Sequence, residues 1–282
     1  MKKSKKSPLF STTNMIVSHA VLVFFLLVSI LPIYWMWQAS LAPPAALAQD
    51  PFAIPSSITF QNLIQAWTVG RMNVYMLNSI YVAFPRVIVV LTLASMAGYA
   101  FGKLDFWGRD KIFYFFLFGM MVPFQAMLIP LYYNIQRMGL INTRFGVILP
   151  YFGLSMPFAI FMMRSFFRNL PNELMESAKI DGCNAFTAFL FIMLPLVKPA
   201  VASLFIFEFL GSWNDFLLPM MMIHNEEHRT LPLGMMHFQG RFSRNISLIA
   251  AGITISTVPI IALYIALQRK FIEGLTSGAI KG

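Results

Sequence analysis

Leu170-Pro171-Asn172-Glu173-Leu174-Met175-Glu176-Ser177-Ala178-Lys179-Ile180-Asp181-Gly182, running on through Cys183 to Leu194-Pro195, is a polar stretch between two hydrophobic blocks. Pro171 suits the first turn of a helix, where its missing N–H has no partner to lose. Glu173 and Glu176 fall near the positive end of that helix's dipole. Gly182 stands where a helix ends in a left-handed cap, and Pro195 is expected to stop the helix that Asn184 begins. The stretch reads as two short helices with a bend at a glycine, facing water and rigid enough to receive a partner.

The flanking blocks decide the class. Of 282 residues, 58% are hydrophobic and 11% charged, with a mean hydropathy of +0.68. The apolar residues come in long blocks rather than at amphipathic spacing, so lipid is the solvent for most of the chain. A net charge of +10 is compatible with nucleic acid, but its distribution follows membrane topology, and no nucleic-acid partner is expected. The single cysteine, Cys183, excludes an internal disulfide.

Six spans follow in order. Lys2, Lys3, Lys5 and Lys6 precede an apolar run over residues 15–37. At about 23 residues this run is longer than the ~7–15 of a signal peptide's core, which favours a retained first span. Residues 38–76 read as an external segment with a short interfacial helix around 62–67. The remaining spans are expected at about 77–101, 112–131, 146–163, 199–218 and 248–267. The fifth is the weakest, interrupted by Glu208, Asn214 and Asp215. Each is long enough to cross ~30 Å of hydrocarbon at ~1.5 Å per residue, and helices are the only open-ended solution there.

Charge tests the layout. Fourteen of the 21 lysines and arginines fall in the N-terminal head, 102–111, 164–198 and the tail, against six in the opposite loops. Positive-inside bias therefore puts both termini and the opening stretch in the cytoplasm of a multi-pass membrane protein. The expected division is residues 1–72 (head, first span, external segment), 73–268 (a five-span core holding the loop 170–195) and 269–282 (cytoplasmic tail).

Interfacial amphipathic helices usually display Lys and Arg to anionic lipid. Here Lys179 alone opposes Glu173, Glu176 and Asp181, and Ser177, Ala178, Gly182, Cys183 and Ala185 are small. Docking of a protein surface is favoured over lipid contact. Within the spans, Arg86 and Glu208 lie at similar depth with opposite charge, as a buried pair or as part of a pathway. Trp213, Asn214 and Asp215 combine an aromatic face with hydrogen-bonding groups, which a sugar needs, although such groups also bridge helices. Among external residues, His224-Asn225-Glu226-Glu227-His228 fits the H-x-x-E-H pattern of a zinc peptidase class. That chemistry needs a helix and a third ligand; Arg229-Thr230-Leu231-Pro232 follows at once, which argues against it. No metal site is expected.

Glu176-Ser177-Ala178-Lys179-Ile180-Asp181-Gly182 with Ile192-Met193-Leu194-Pro195 resembles the EAA signature of permeases in bacterial binding-protein-dependent ABC importers. Asn78-Ser79, Trp213-Asn214-Asp215-Phe216 and the terminal Gly274–Gly282 are similar to the sugar-importing branch, in particular the smaller permease of maltose-type systems. The resemblance runs from about residue 78 to the end. Ser177 and Cys183 stand where the family usually has alanine, and both are small. The resemblance implies an all-α, type I importer permease fold whose EAA loop is a coupling helix seated in a cleft of a cytoplasmic ATPase. Glu176, Ser177, Ala178, Asp181, Gly182 and Pro195 would form that contact. Implied partners are a second permease, two ATPase subunits, an extracytoplasmic solute-binding protein and a carbohydrate. Independently, the sequence lacks a Gly-rich phosphate loop ending in Gly-Lys-Ser/Thr, so ATP and Mg²⁺ are expected on a partner and no enzyme activity on this chain. Pathway candidates are Asn78, Arg86, Glu208, Trp213, Asn214 and Asp215. The alternatives are an importer for a sugar phosphate or polyol and, from a different class, a membrane zinc peptidase built on His224 and His228.

Overall fold

A computed structural model describes residues 12–50, 52, 57–243 and 245–279. The basic head at Lys2–Lys6, Arg244 and the last residues, 280–282, lie outside them. Among the described residues every regular element is helical. The chain divides into two compact units, residues 1–70 with 241–255 and residues 71–240 with 256–282.

In the first unit the helix Thr12–Leu41 contains an apolar stretch, Asn14–Leu41, of 28 residues with hydropathy 2.6. Its side chains over residues 14–34 are exposed, as on a helix solvated by lipid. Its C-terminal carbonyls need donors. Buried Asn62 supplies two, its Nδ2 reaching Ser40 O at 3.0 Å and Ala42 O at 2.8 Å, and the Thr59 amide donates to Leu41 O at 2.8 Å. Asn62 belongs to the short helix Gln61–Thr68, one residue longer at each end than the expected interfacial helix. Ala39, Ala42, Leu47 and Ala250 close around this joint, with Trp35 packed against them.

The second unit is organised on the helix Met72–Lys103, 32 residues with hydropathy 1.9. Two of the expected continuous spans, 112–131 and 146–163, fall on bent helix pairs, and a third bend comes at Val197, just ahead of the expected 199–218. Arg109–Met121 and Phe124–Arg137 meet at 97°, Arg144–Leu154 and Met156–Asn169 at 47°, and Ala185–Leu196 and Lys198–Trp213 at 78°. Proline chemistry explains each break. Val122 is pushed into extended backbone (ψ 118) ahead of Pro123. Pro157 and Pro199 stand in the first turn of the second arm of their pairs, where the missing N–H costs nothing.

The helix that Asn184 starts ends at Leu196, one residue past Pro195, after a π turn over Phe189–Met193. The wider turn shifts the hydrogen-bond register just before the residue that cannot donate. The last expected loop also contains an 11-residue helix, Leu231–Arg241. The final helix, Ile246–Ala279, has a span-length apolar stretch, Ile246–Arg269, and then continues through the described part of the expected tail.

Lipid tails are as apolar as leucine, so close packing, not escape from water, must hold these helices together. Gly98 shows how close. A Cβ there would stand 2.5 Å from Met163 Cβ and 2.8 Å from the Arg164 amide nitrogen, so the Met72–Lys103 and Met156–Asn169 helices touch at backbone distance. A second cluster gathers Val82, Val147, Ile148, Leu218, Met222 and Leu233 around the first arm of the 144–169 pair.

Candidate functional site

Where Ser155 joins the two arms of the 144–169 pair, polar groups from the Met72–Lys103 and Lys198–Trp213 helices and from this joint meet at one buried point. Arg86 and Glu208 are each 5% exposed. Arg86 Nη2 lies 3.1 Å from Glu208 Oε2 and donates to Ser155 Oγ at 3.2 Å, while Ser155 Oγ donates to Glu208 Oε2 at 2.8 Å. The guanidinium carbon sits 3.6 Å from the centre of the Tyr151 ring. Gly211 lies alongside: a Cβ there would stand 3.7 Å from Arg86 Nη2, an ordinary contact. The sequence question of whether Arg86 and Glu208 pair is answered. They do, and the hinge serine completes the triangle.

The network is not closed. Arg86 Nε and Nη1 and one oxygen of Asp215, Oδ2, are buried without a hydrogen-bond partner among the described residues. Asp215 follows the break after Trp213, ahead of the short helix Leu217–Met222, and is near enough to Arg86 to feel its charge. One cation is thus bonded to one carboxylate, Glu208, and feels the charge of a second, Asp215, seven residues further along the chain. Arg86, Tyr151, Ser155 and Asp215 form the polar part of the lining of a cavity of about 790 Å³, otherwise walled by glycines and apolar residues such as Met127, Leu131 and Phe158. A mostly apolar hollow with a few convergent polar groups is the common form of a small-molecule site.

The other pathway candidates are placed elsewhere. Trp213 is 2% exposed, its Nε1 donates to Ser256 O at 3.2 Å, and Phe209 stacks on its ring at 5.3 Å and 21°. Its face is already occupied. Asn214 is exposed beyond the helix end. Asn78 is a pin at the other end of the long helix. Its Nδ2 donates to Glu227 O at 2.7 Å and Arg229 O at 2.9 Å, and its Oδ1 accepts from Arg144 Nε at 2.9 Å.

That pin belongs to a knot of bonds missed at the sequence level. Asn142, in the left-handed region at φ 62, accepts on Oδ1 from the amides of His224 (2.6 Å) and Asn225 (3.0 Å). His228 Nδ1 lies 2.6 Å from Asn142 O. Asparagine tolerates positive φ, which was the available signal. The zinc-peptidase alternative loses its geometry here. Only Glu226–His228 is helical, as a single 3-10 turn, so no α-helix presents His224 and His228 on one face. Among the described residues no group of three or more His, Cys, Asp or Glu is placed to hold a metal ion.

The bent polar loop forms at the opposite end of the Met72–Lys103 helix. Its first helix is Glu173–Ile180, with Asn172 as N-cap, so Pro171 lies just before the helix rather than in its first turn. Gly182 has φ +78, its amide donates to Lys179 O at 3.1 Å, and the Cys183 amide donates to Ala178 O at 2.9 Å. This paired pattern is the Schellman cap, and it fixes the bend. Asn184 then caps the next helix, its Oδ1 accepting from the Thr187 amide at 2.8 Å. Ala178, 1% exposed, and Met175 face inward, whereas Glu176, Ser177, Asp181 and Gly182 face out beside Ile180, an isoleucine 86% exposed. The loop is gripped from the long helix. Lys103 Nζ donates to Leu170 O at 2.5 Å and Asn172 Oδ1 at 2.7 Å, and Tyr99 OH donates to Ala185 O at 3.1 Å.

The family described as binding-protein-dependent transport system inner membrane component matches residues 91–276, more than half of the chain. The chain belongs to that family. Its permease relatives include the diacetylchitobiose uptake system permease protein of Streptomyces coelicolor, 33% identical over 94% of this chain and 88% of the relative. The arabinooligosaccharides transport system permease protein of Halalkalibacterium halodurans is 34% identical over 99% of this chain and 100% of the relative. A solved bacterial ABC transporter involved in the import of the acidic polysaccharide alginate contains a chain that superposes with TM-score 0.80 at 25% identity, covering 94% of this permease and 100% of that chain. The permease therefore has the all-helical fold of the type I ABC importers, in a multi-pass inner-membrane protein.

Proposed function

We propose that this permease moves a sugar or oligosaccharide into the cytoplasm as half of the translocation pore of an ATP-driven importer. The observation that carries the proposal is likeness, over nearly the whole chain, to permeases named for oligosaccharide uptake. In this reading the three long helices and the three broken pairs are six spans, with both termini cytoplasmic. The partners are a second, related permease, two ATPase subunits that hold ATP and Mg²⁺, and an extracytoplasmic solute-binding protein.

The exposed face of Glu173–Ile180, with Glu176 and Ile180, is the part that would seat in an ATPase cleft. Gly182 holds the bend, and Tyr99 and Lys103 transmit loop movement to the long helix. Arg86 lies on that same helix, 13 residues and roughly 20 Å from Tyr99 at ~1.5 Å per residue. A stiff rod thus joins the loop to the hinge at Ser155 and to the cavity. Alternating access would re-aim the arms of the broken spans around this point, and no bond is made or broken on the chain.

The test is uptake of labelled neutral oligosaccharides by the host with and without this gene. Loss on deletion and recovery on complementation support the proposal. Normal sugar uptake together with lost uptake of a polyol or sugar phosphate selects the nearer alternative.

A further inference from the structure

The Arg109–Phe118 and Met156–Asn169 helices enclose a cleft of about 430 Å³ at the end of the molecule that carries the bent loop. Its walls are Phe113 and Phe161, and its floor is Arg164, Ser165, Arg168 and Asn169. Arg164 is held rigidly. Its Nη2 lies 2.9 Å from Asp110 Oδ1, its Nε donates to Phe101 O at 3.2 Å, and its guanidinium carbon is 3.8 Å from the Phe113 ring centre. Asp110 is shared with Arg109 at 3.6 Å, and Arg109 also takes Asp105. Arg168, one turn beyond Arg164, is exposed and close enough to interact with it electrostatically, yet no carboxylate is bonded to it among the described residues.

Arg164 and Arg168 are like charges one turn apart on the same helix, and the only carboxylate paired with either among the described residues, Asp110, is already shared with Arg109, so an anion joining the two would relieve their repulsion. Depth says which anion. Trp107, 92% exposed, stands just before the Arg109–Phe118 helix, and Tyr114, Phe115 and Phe118 project outward from it. An exposed Trp beside charged residues, followed by exposed aromatic rings, marks a level where headgroups give way to acyl chains. A basic pocket between two helices at that level suits an acidic lipid headgroup.

We infer that this cleft binds an anionic phospholipid of the cytoplasmic leaflet, its phosphate bridging Arg164 and Arg168, with Ser165 and Asn169 donating to the headgroup and an acyl chain along Phe161. The inference rests on the proposed orientation, with this end cytoplasmic.

The full chain is exchanged into vesicles of phosphatidylcholine doped with phosphatidylglycerol, re-extracted in mild detergent, and its retained lipid read by native mass spectrometry. Wild type should keep phosphatidylglycerol against excess inorganic phosphate. Arg168→Gln should retain about fivefold less, the effect of one basic residue near an anionic surface, with phosphatidylcholine unchanged. Arg168→Lys should keep most of the retention. Equal retention by wild type and Arg168→Gln overturns the inference, as does displacement of the lipid by inorganic phosphate, which would make this a free-anion site. Unchanged lipid with loss of ATPase assembly in Arg168→Gln would reassign the cleft to a protein partner. Orientation is read separately. In a Cys183→Ser background, Trp107→Cys should escape an impermeant thiol reagent added outside intact cells; labelling from outside would overturn the orientation and the lipid site with it, whatever became of the transport reading.

Discussion

Removing either member of the Arg86–Glu208 pair should destabilise the permease, and removing Arg86 should cost more. At 3.1 Å, unit charges at an effective dielectric of ~20 attract by roughly 5 kcal/mol, most of which offsets the desolvation of two groups that are each 5% exposed. Breaking such a pair from one side costs about 3–5 kcal/mol, because an unmatched buried charge remains. The two sides are unequal here. In Glu208→Ala the guanidinium keeps Ser155, the Tyr151 face and the nearby charge of Asp215, which places this variant at the low end of that range. In Arg86→Met, Ser155 is the hydrogen-bond partner Glu208 keeps among the described residues, and Asp215 loses the favourable charge of Arg86, so this variant falls at the high end. Arg86→Met with Glu208→Leu leaves no unmatched member of the pair and should recover most of the loss. Thermal unfolding of the full chain in nanodiscs, run as a double-mutant cycle, reads these values. We expect a coupling energy of about 2 kcal/mol or more; singles that add to the double within about 0.5 kcal/mol would refute the buried pair.

At Gly182 a Cβ meets nothing within 4 Å, so substitution costs only backbone energy, about 1–2 kcal/mol for a residue forced into the left-handed region. Gly182→Asn should preserve slow amide exchange over residues 173–185 and Gly182→Val should not, as hydrogen exchange would show. Gly98→Ala should lower stability by more than about 1 kcal/mol, since its Cβ overlaps Met163 and the Arg164 backbone and overpacking here must move a helix; a melting temperature equal to wild type would contradict that contact. Alanine at both His224 and His228 should leave uptake unchanged within about twofold and cost about 1 kcal/mol of stability for the lost bond to Asn142 O. Stoichiometric zinc bound by wild type and lost in this variant would restore the peptidase reading.

Much of this molecule is legible in its residues because lipid imposes long apolar runs and glycine and proline punctuate them. The Gly182 bend follows from one residue's access to positive φ, and the short helix around Asn62 from its place beside the first span. What hydropathy does not report is breakage. A run such as residues 146–163 stays apolar through Ser155-Met156-Pro157, and only the proline marks the joint. Pro195 marks the end of its helix to within one residue, but local rules do not foresee the π turn ahead of it. Among site residues, Arg86 and Glu208 stand out as charges in hydrocarbon, where partnership is close to obligatory. Ser155 and Tyr151 do not, since a serine or tyrosine within a span is ordinary until a guanidinium lies against it. Trp213 shows the limit of reading chemistry from type alone: an indole suits a sugar, but this one is stacked under Phe209 and bonded to Ser256.

The central claim is that an outside motor drives transport through the loop at 173–182. Glu176→Lys reverses the charge of an exposed side chain on that loop and touches no fold contact seen among the described residues. ATP-dependent uptake should be abolished in cells carrying this variant while its level in the membrane stays at that of wild type. Uptake persisting at the wild-type rate with Glu176→Lys in the membrane would contradict the account.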